Sequence, residues 1–176
     1  LAVDFVEVIV QAPTLDVSMS HSASPSSHTL SGGQVITSSS VVVGGTAAGD
    51  ITYTFNCNNG SAAQTVSTTN TSQSFSCTYT SAGTYNPSVS VSRGGLSAST
   101  NEFVTIYNPI TVDLKANNSN GPVSLFNNQA ANLTWTSSNA SSCTSSGQWG
   151  SFSKSLNNSI GESTGALLAG TYTYTL

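Results

Sequence analysis

Charge is what this sequence most lacks. Only 6% of its 176 residues are charged, three Lys or Arg against seven Asp or Glu, where globular domains carry roughly 25%. So sparse a surface charge argues against a crowded cytosol, where charge keeps proteins soluble and apart. A formal net charge of −4 without any basic cluster leaves nothing to neutralise a row of phosphates, so no nucleic-acid partner is expected. Long apolar runs are also missing. The longest, Val3 to Val10, is interrupted by Asp4 and Glu7 and falls short of the about 18 residues of a membrane helix, so no membrane insertion is expected. Helix formers are scarce, and no stretch carries a 3.6-residue period.

Chemistry-bearing clusters are absent too. The two histidines, His21 and His28, lie in a Ser/Pro-rich stretch with no acidic or Cys partner at ligand spacing. The carboxylates Asp4, Glu7, Asp16, Asp50, Glu102, Asp113 and Glu162 stand singly, which argues against an acid/base pair or a dedicated calcium loop. A calcium ion at the joints around Asp16 and Asp113 is the one metal reading left open. There is no G-x-S-x-G elbow and no C-x-x-C spacing. The expectation is a protein that is not an enzyme and that carries no cofactor or metal. The sequence also shows neither an initiator Met nor a signal-peptide pattern, and it reads as processed or cut from something larger.

What is present is Ser, Thr and Asn at the surface and enough apolar residues, 37%, to fill small β-sandwiches. Strand-like runs recur about every ten residues between Gly, Asn and Ser turns. They are Val3–Val10, Val41–Val43, Ile51–Asn56, Ser74–Tyr79, Asn86–Ser92, Phe103–Tyr107, Ile110–Lys115, Ala131–Thr136 and Thr171–Leu176. The fold class predicted is all-β. Two Pro joints, Gln11-Ala12-Pro13 and Tyr107-Asn108-Pro109, divide the chain, because proline cannot donate to a ladder. They delimit an N-terminal strand and linker at 1–12, a module at 13–108 and another at 109–176. Three cysteines in an extracellular-looking chain invite a disulfide. Cys57 and Cys77 lie on strands flanking the central hairpin region of the middle module and are predicted to pair. Sequons open at Asn59, Asn70, Asn117, Asn132, Asn139 and Asn157 and mark exposed positions if the source glycosylates its surface proteins.

The middle module resembles a known family. Ile51-Thr-Tyr-Thr-Phe-Asn-Cys-Asn-Asn-Gly60 is similar to the Y-x-W-x-F-G-D-G strand and turn of PKD-type domains. Tyr79-Thr-Ser-Ala-Gly-Thr-Tyr85 resembles their Y-x-x-x-G-x-Y corner, and Ser88–Ser92, Gly94-Gly95 and Phe103–Ile106 resemble the final hairpin. Cys57 and Asn58 depart from the pattern, which has Gly and Asp there. The last module resembles bacterial Ig-like repeats in Trp135-Thr-Ser-Ser-Asn-Ala-Ser-Ser-Cys143, Glu162–Gly165 and Thr171-Tyr-Thr-Tyr-Thr-Leu176. The resemblances imply two tandem immunoglobulin-like sandwiches serving as spacers or contact modules at a cell surface. Trp135, Leu133, Tyr172, Tyr174 and Leu176 would form the core of the last module.

In those repeats T-Y-T-L is followed by a Cys and then by a strand that closes the sheet. The last module here is therefore expected to lack its closing strand, and Cys143 is expected to be free or bonded to another chain. The run Val3–Val10 reads as a closing strand without a module. The two irregularities fit each other if Val3, Phe5, Val6, Val8, Ile9 and Val10 of one copy complete the last module of a neighbour. The apolar parity shifts between Phe5 and Val6, which reads as a bulge or as burial on both faces. The expected role is a structural subunit of an extracellular filament or pilus-like fibre, a homopolymer at the cell surface whose outer contacts are surface glycans or other cells. Two other readings stand beside it. One is a segment of a large tandem-repeat bacterial adhesin or surface-layer-type protein, and the other is an accessory domain pair of a secreted enzyme.

Overall fold

The computed structural model describes residues 9–21 and 27–176. Among them the chain is all-β, without a helix. It divides into two compact units, Leu1–Asn108 and Pro109–Leu176. Val3, Phe5, Val6 and Val8 lie outside the described residues. Ile9 and Val10 are exposed and belong to no strand.

The described residues of the first unit form ten strands: β1 (Asp16–His21), β2 (Ser27–Thr29), β3 (Val35–Gly44), β4 (Ile51–Asn56), β5 (Gln64–Thr68), β6 (Ser72–Tyr79), β7 (Gly83–Tyr85), β8 (Ser88–Arg93), β9 (Leu96–Asn101) and β10 (Val104–Tyr107). Period-two alternation builds its inner faces. Ile51, Tyr53 and Phe55 of β4 and Val89 and Val91 of β8 point inward while the Thr and Ser between them face out. They belong to the sheet β5-β4-β8-β9. Against it packs β1-β3-β6, which contributes Met19, Val41, Val43, Phe75, Cys77 and Tyr79. Phe55 stacks on Phe75 across the core at 4.8 Å, a contact worth about 0.5–1.5 kcal/mol beyond its buried area. The predicted disulfide joins Cys57, just past β4, to Cys77 of β6, with Cα atoms 5.6 Å apart, and so links the two layers. Burial pushes the Tyr53 phenol up from its ordinary value, the Arg93 charge acting in the opposite direction. The neutral hydroxyl donates to Asn70 O at 2.8 Å.

Strands β8 and β9 form a hairpin through Gly94-Gly95, both with positive φ (57° and 80°), as a two-residue turn of matching twist requires. The same hairpin continues, past an interruption at Pro87, as β7 and β10, with Glu102 N donating to Pro87 O at 3.0 Å in the gap. Proline has no N–H for the ladder, which explains why the predicted strand Asn86–Ser92 begins only at Ser88. Strand β10 closes the unit. It runs antiparallel to β7 on one side and parallel to β2 on the other, and it buries Val104 and Ile106 to 1% exposure.

The second unit is built from β11 (Thr111–Ala116), β12 (Asn132–Ser138), β13 (Cys143–Thr144), β14 (Ser146–Gly147), β15 (Ser153–Lys154), β16 (Asn158–Ser163) and β17 (Tyr174–Thr175). They make one sheet, β11-β12-β16, and two short pairs, β13-β15 and β14-β17. Few of its described side chains are buried: Ala131, Leu133, Trp135 and Ser145. Ile110, Phe126, Phe152, Ile160 and Leu168 are exposed. The run predicted as a strand over Thr171–Leu176 is paired only at Tyr174–Thr175.

Candidate functional site

An open groove of about 740 Å³ lies in the second unit. That volume falls in the usual range of ligand pockets, about 300–1,000 Å³, so its walls must say what it takes. Leu114 of β11 and Leu133 of β12 supply apolar lining. One flank is the segment Pro122–Phe126, and the other is Leu168–Tyr174. Val123 and Leu125 alternate with exposed Ser124 as strand residues do, yet the segment is in no strand. Among the described residues, no backbone–backbone hydrogen bond is made by Val123, Ser124 or Leu125 on one flank or by Gly170, Thr171 or Tyr172 on the other. Two unpaired backbone edges bordering apolar side chains form a slot whose free N–H and C=O groups could receive an added strand.

The first unit shows the same slot filled. Ala82-Gly83-Thr84-Tyr85 recurs as Ala169-Gly170-Thr171-Tyr172. In both copies the tyrosine hydroxyl reaches back to a carbonyl four residues earlier, Tyr85 to Ser81 O at 3.0 Å and Tyr172 to Leu168 O at 3.2 Å. In both copies its ring lies over the glycine two residues before it. A second correspondence joins Leu30-Ser-Gly-Gly-Gln34 to Leu125-Phe-Asn-Asn-Gln129. The turns match: Gln34 N donates to Ser31 O, and Gln129 N donates to Phe126 O. Each carries a positive φ at the same place, Gly33 at 85° and Asn128 at 67°, a conformation that Gly and Asn tolerate best. Segment 122–124 thus stands where β2 stands, and segment 170–172 where β7 stands. In the first unit β10 lies between them. In the second the groove does.

Compared with known proteins, the sequence matches no family model and no curated protein.

The predicted core residues divide by burial. Leu133 and Trp135 are buried, whereas Tyr172, Tyr174 and Leu176 are only half-buried, and both tyrosines line the opening. Behind the groove an aromatic set holds the unit together. Trp149 meets Trp135 edge-on at 5.4 Å and Tyr174 at 5.8 Å, and Trp135 Nε1 donates to Ser155 O at 2.9 Å. Lys154 sits 4.6 Å above the Trp149 ring and donates to both carboxylate oxygens of Glu162 at 2.7 and 2.8 Å. Its side chain is 12% exposed and that of Glu162 40%. Replacing Lys154 by Met is expected to destabilise the second unit by about 1–2 kcal/mol, below the cost of breaking a fully buried pair because Glu162 is partly solvated. Both tryptophans of the chain, Trp135 and Trp149, are in this unit, so tryptophan fluorescence during urea unfolding reports it selectively. An unchanged midpoint would show that the pair contributes nothing.

Cys143 is a half-buried free thiol whose Sγ lies 3.9 Å from Ser137 Oγ. Of the two histidines, His28 lies in β2 and His21 ends β1. Among the described residues no group of three His, Cys, Asp or Glu converges, and Asp113 pairs with Lys115 at 2.8 Å. No described helix is long and apolar enough to cross a membrane. The Cys57–Cys77 bond fits an oxidising compartment.

Proposed function

We propose that this chain is the structural subunit of an extracellular filament, each copy donating its N-terminal strand, Val3–Val10, to the open second unit of the next copy. The observation that carries the reading is the groove between segments 122–126 and 168–174, which corresponds to the place β10 fills in the first unit. On this reading both units are immunoglobulin-like sandwiches, the first PKD-like and complete, the second lacking its last strand. The role is structural, with no catalysis and no cofactor. A donor from one copy and an acceptor on another make a heterologous contact, which propagates as an open fibre instead of closing a dimer. Ladder hydrogen bonds contribute about 1 kcal/mol each, and each buried Val about 1.5–3 kcal/mol. Together they reach about 10 kcal/mol, comparable to the about 4–15 kcal/mol that association costs. A surface dominated by Ser, Thr and Asn, with 6% charged residues, suits a packed fibre outside the cell.

The recurrence of Ala-Gly-Thr-Tyr in both units favours a second reading, a segment of a tandem-repeat adhesin whose closing strand follows in the same polypeptide. Electron microscopy separates the two. The intact chain is expected to form fibres, and a chain lacking residues 1–10 is expected to stay monomeric at the same concentration. Fibres from both chains, or from neither, would remove strand donation.

A further inference from the structure

Resting on the strand-donation reading, we propose the register of the donor: Val6 lies across from Tyr172 and Val8 across from Gly170, both facing into the groove, with Glu7 facing out. The donor segment Asp4-Phe5-Val6-Glu7-Val8 corresponds position by position to Glu102-Phe103-Val104-Thr105-Ile106, the entry to and first residues of the strand that closes the first unit. There an acidic residue and a Phe precede a Val-x-Ile pair. Phe103 is 61% exposed, while Val104 and Ile106 are buried.

The closing strand's pairing is explicit. Val104 is opposite Tyr85, Thr105 opposite Thr84 and Ile106 opposite Gly83 on the antiparallel side. On the parallel side Thr105, Ile106 and Tyr107 are opposite Ser27, His28 and Thr29. The shared Ala-Gly-Thr-Tyr carries the first set to Tyr172, Thr171 and Gly170. The shared turn carries the second to Pro122, Val123 and Ser124. Val8 then runs between Gly170 and Val123, and Glu7 between Thr171 and Pro122.

Physical chemistry excludes the nearest alternative. A slip of one residue turns every side chain over. It would aim Glu7 into the apolar lining and bury a carboxylate with no cation named among the residues around the groove, which is strongly unfavourable. A slip of two residues keeps the faces but breaks the correspondence with β10, and it moves each partner about 7 Å along the strand.

Paired cysteines read the register directly. In a Cys143→Ser background, Glu7→Cys is combined with Thr171→Cys, or with Thr173→Cys as the two-residue slip. Thr171 and Thr173 are both exposed, so neither change touches the core, and cysteines whose Cα atoms lie beyond about 7 Å cannot be bridged. Mild oxidation of assembled fibres is expected to give a covalent ladder of subunits with Thr171→Cys and none with Thr173→Cys. A ladder only with Thr173→Cys, or fibres that cross-link with neither, overturns the register and leaves donation by residues 1–10 to be judged from the truncated chain. A cross-link at Thr171→Cys found only within monomers supports the register but overturns donation between copies. Neither fibres nor cross-links, from chains whose tryptophan fluorescence shows a folded second unit, overturns both.

Discussion

A chain extended after Leu176 with a second copy of its own residues 90–107 will stay monomeric, and its second unit will unfold at higher urea than in the unextended chain. The graft follows from the alignment of the two corners. If Tyr172 stands where Tyr85 stands, Leu176 stands where Val89 stands, and Val89 is the buried residue that opens the inward pattern of β8. Continuing with Ser90 onward supplies the rest of that strand, the Gly94-Gly95 turn, β9 and the closing strand β10, all in the register that they hold in the first unit. The closing pair Val104 and Ile106 would enter the groove, each contributing about 1.5–3 kcal/mol by burial, and ladder bonds on two edges would add about 1 kcal/mol apiece. The strand is tethered, so no translational cost is incurred, and its effective concentration exceeds that of a neighbour's residues 3–10. Tryptophan fluorescence should show both a later midpoint and a steeper slope, because more surface is exposed on unfolding. Sedimentation should show one small species. If the extended chain still forms fibres, or if its fluorescence midpoint does not move, the groove is not a strand site.

Much of the first unit was legible because its central strands alternate cleanly. Ile51, Tyr53 and Phe55, then Phe75, Cys77 and Tyr79, then Val89 and Val91 each place apolar side chains at every second position. Burial of that face leaves one register possible. Edge strands gave no such signal. Strand β5 has Val66 alone among Thr, Ser and Gln, and β9 reads Leu-Ser-Ala-Ser-Thr-Asn, since a solvated edge needs little apolar content. The first half of β3 was hidden for a different reason. Its inward residues are Thr37 and Ser39, polar side chains that break the expected pattern. The site was legible in the sequence only through the resemblance of its last run, Thr171–Leu176, to repeat modules and through the apolar run Val3–Val10. The flank at Val123–Leu125 was not read as strand-like, because two apolar residues separated by one Ser are too short a pattern. The signal that locates it was nonetheless in the chain, as the repeated Ala-Gly-Thr-Tyr and the Leu-x-x-x-Gln turns. Both become informative once the first unit shows what sits between them.

Replacing Cys57 and Cys77 together by Ala should cost the first unit about 3 kcal/mol and leave the second unit unmoved. The two cysteines are separated by 20 residues. In the chain-entropy account, closing a loop of that size restricts the unfolded chain by about 3 kcal/mol, with a weak dependence on length. The native side of the bond is also favourable. Both cysteines are buried, and they join the layer of β4 to that of β6 beside the stacked Phe55 and Phe75. Alanine is the informative replacement, since serine would add a buried hydroxyl at a cost of about 1–3 kcal/mol of its own. For a unit of this size the loss corresponds to a fall in Tm of about 10–20 °C. Calorimetry should show the transition of the first unit moving by that amount. Tryptophan fluorescence, confined to Trp135 and Trp149, should not move. Treating the unchanged chain with a reductant should reproduce the calorimetric shift, because Cys57–Cys77 is the disulfide and Cys143 is already a free thiol. A double variant that loses under about 1 kcal/mol would mean that the unfolded loop is already compact without the bond. The two-layer core would then hold through Phe55, Phe75 and their neighbours alone. A loss confined to the first unit also bears on assembly. If the fibre depends on the groove of the second unit and on residues 3–10, the chain without the Cys57–Cys77 bond should still polymerise at temperatures below its lowered Tm.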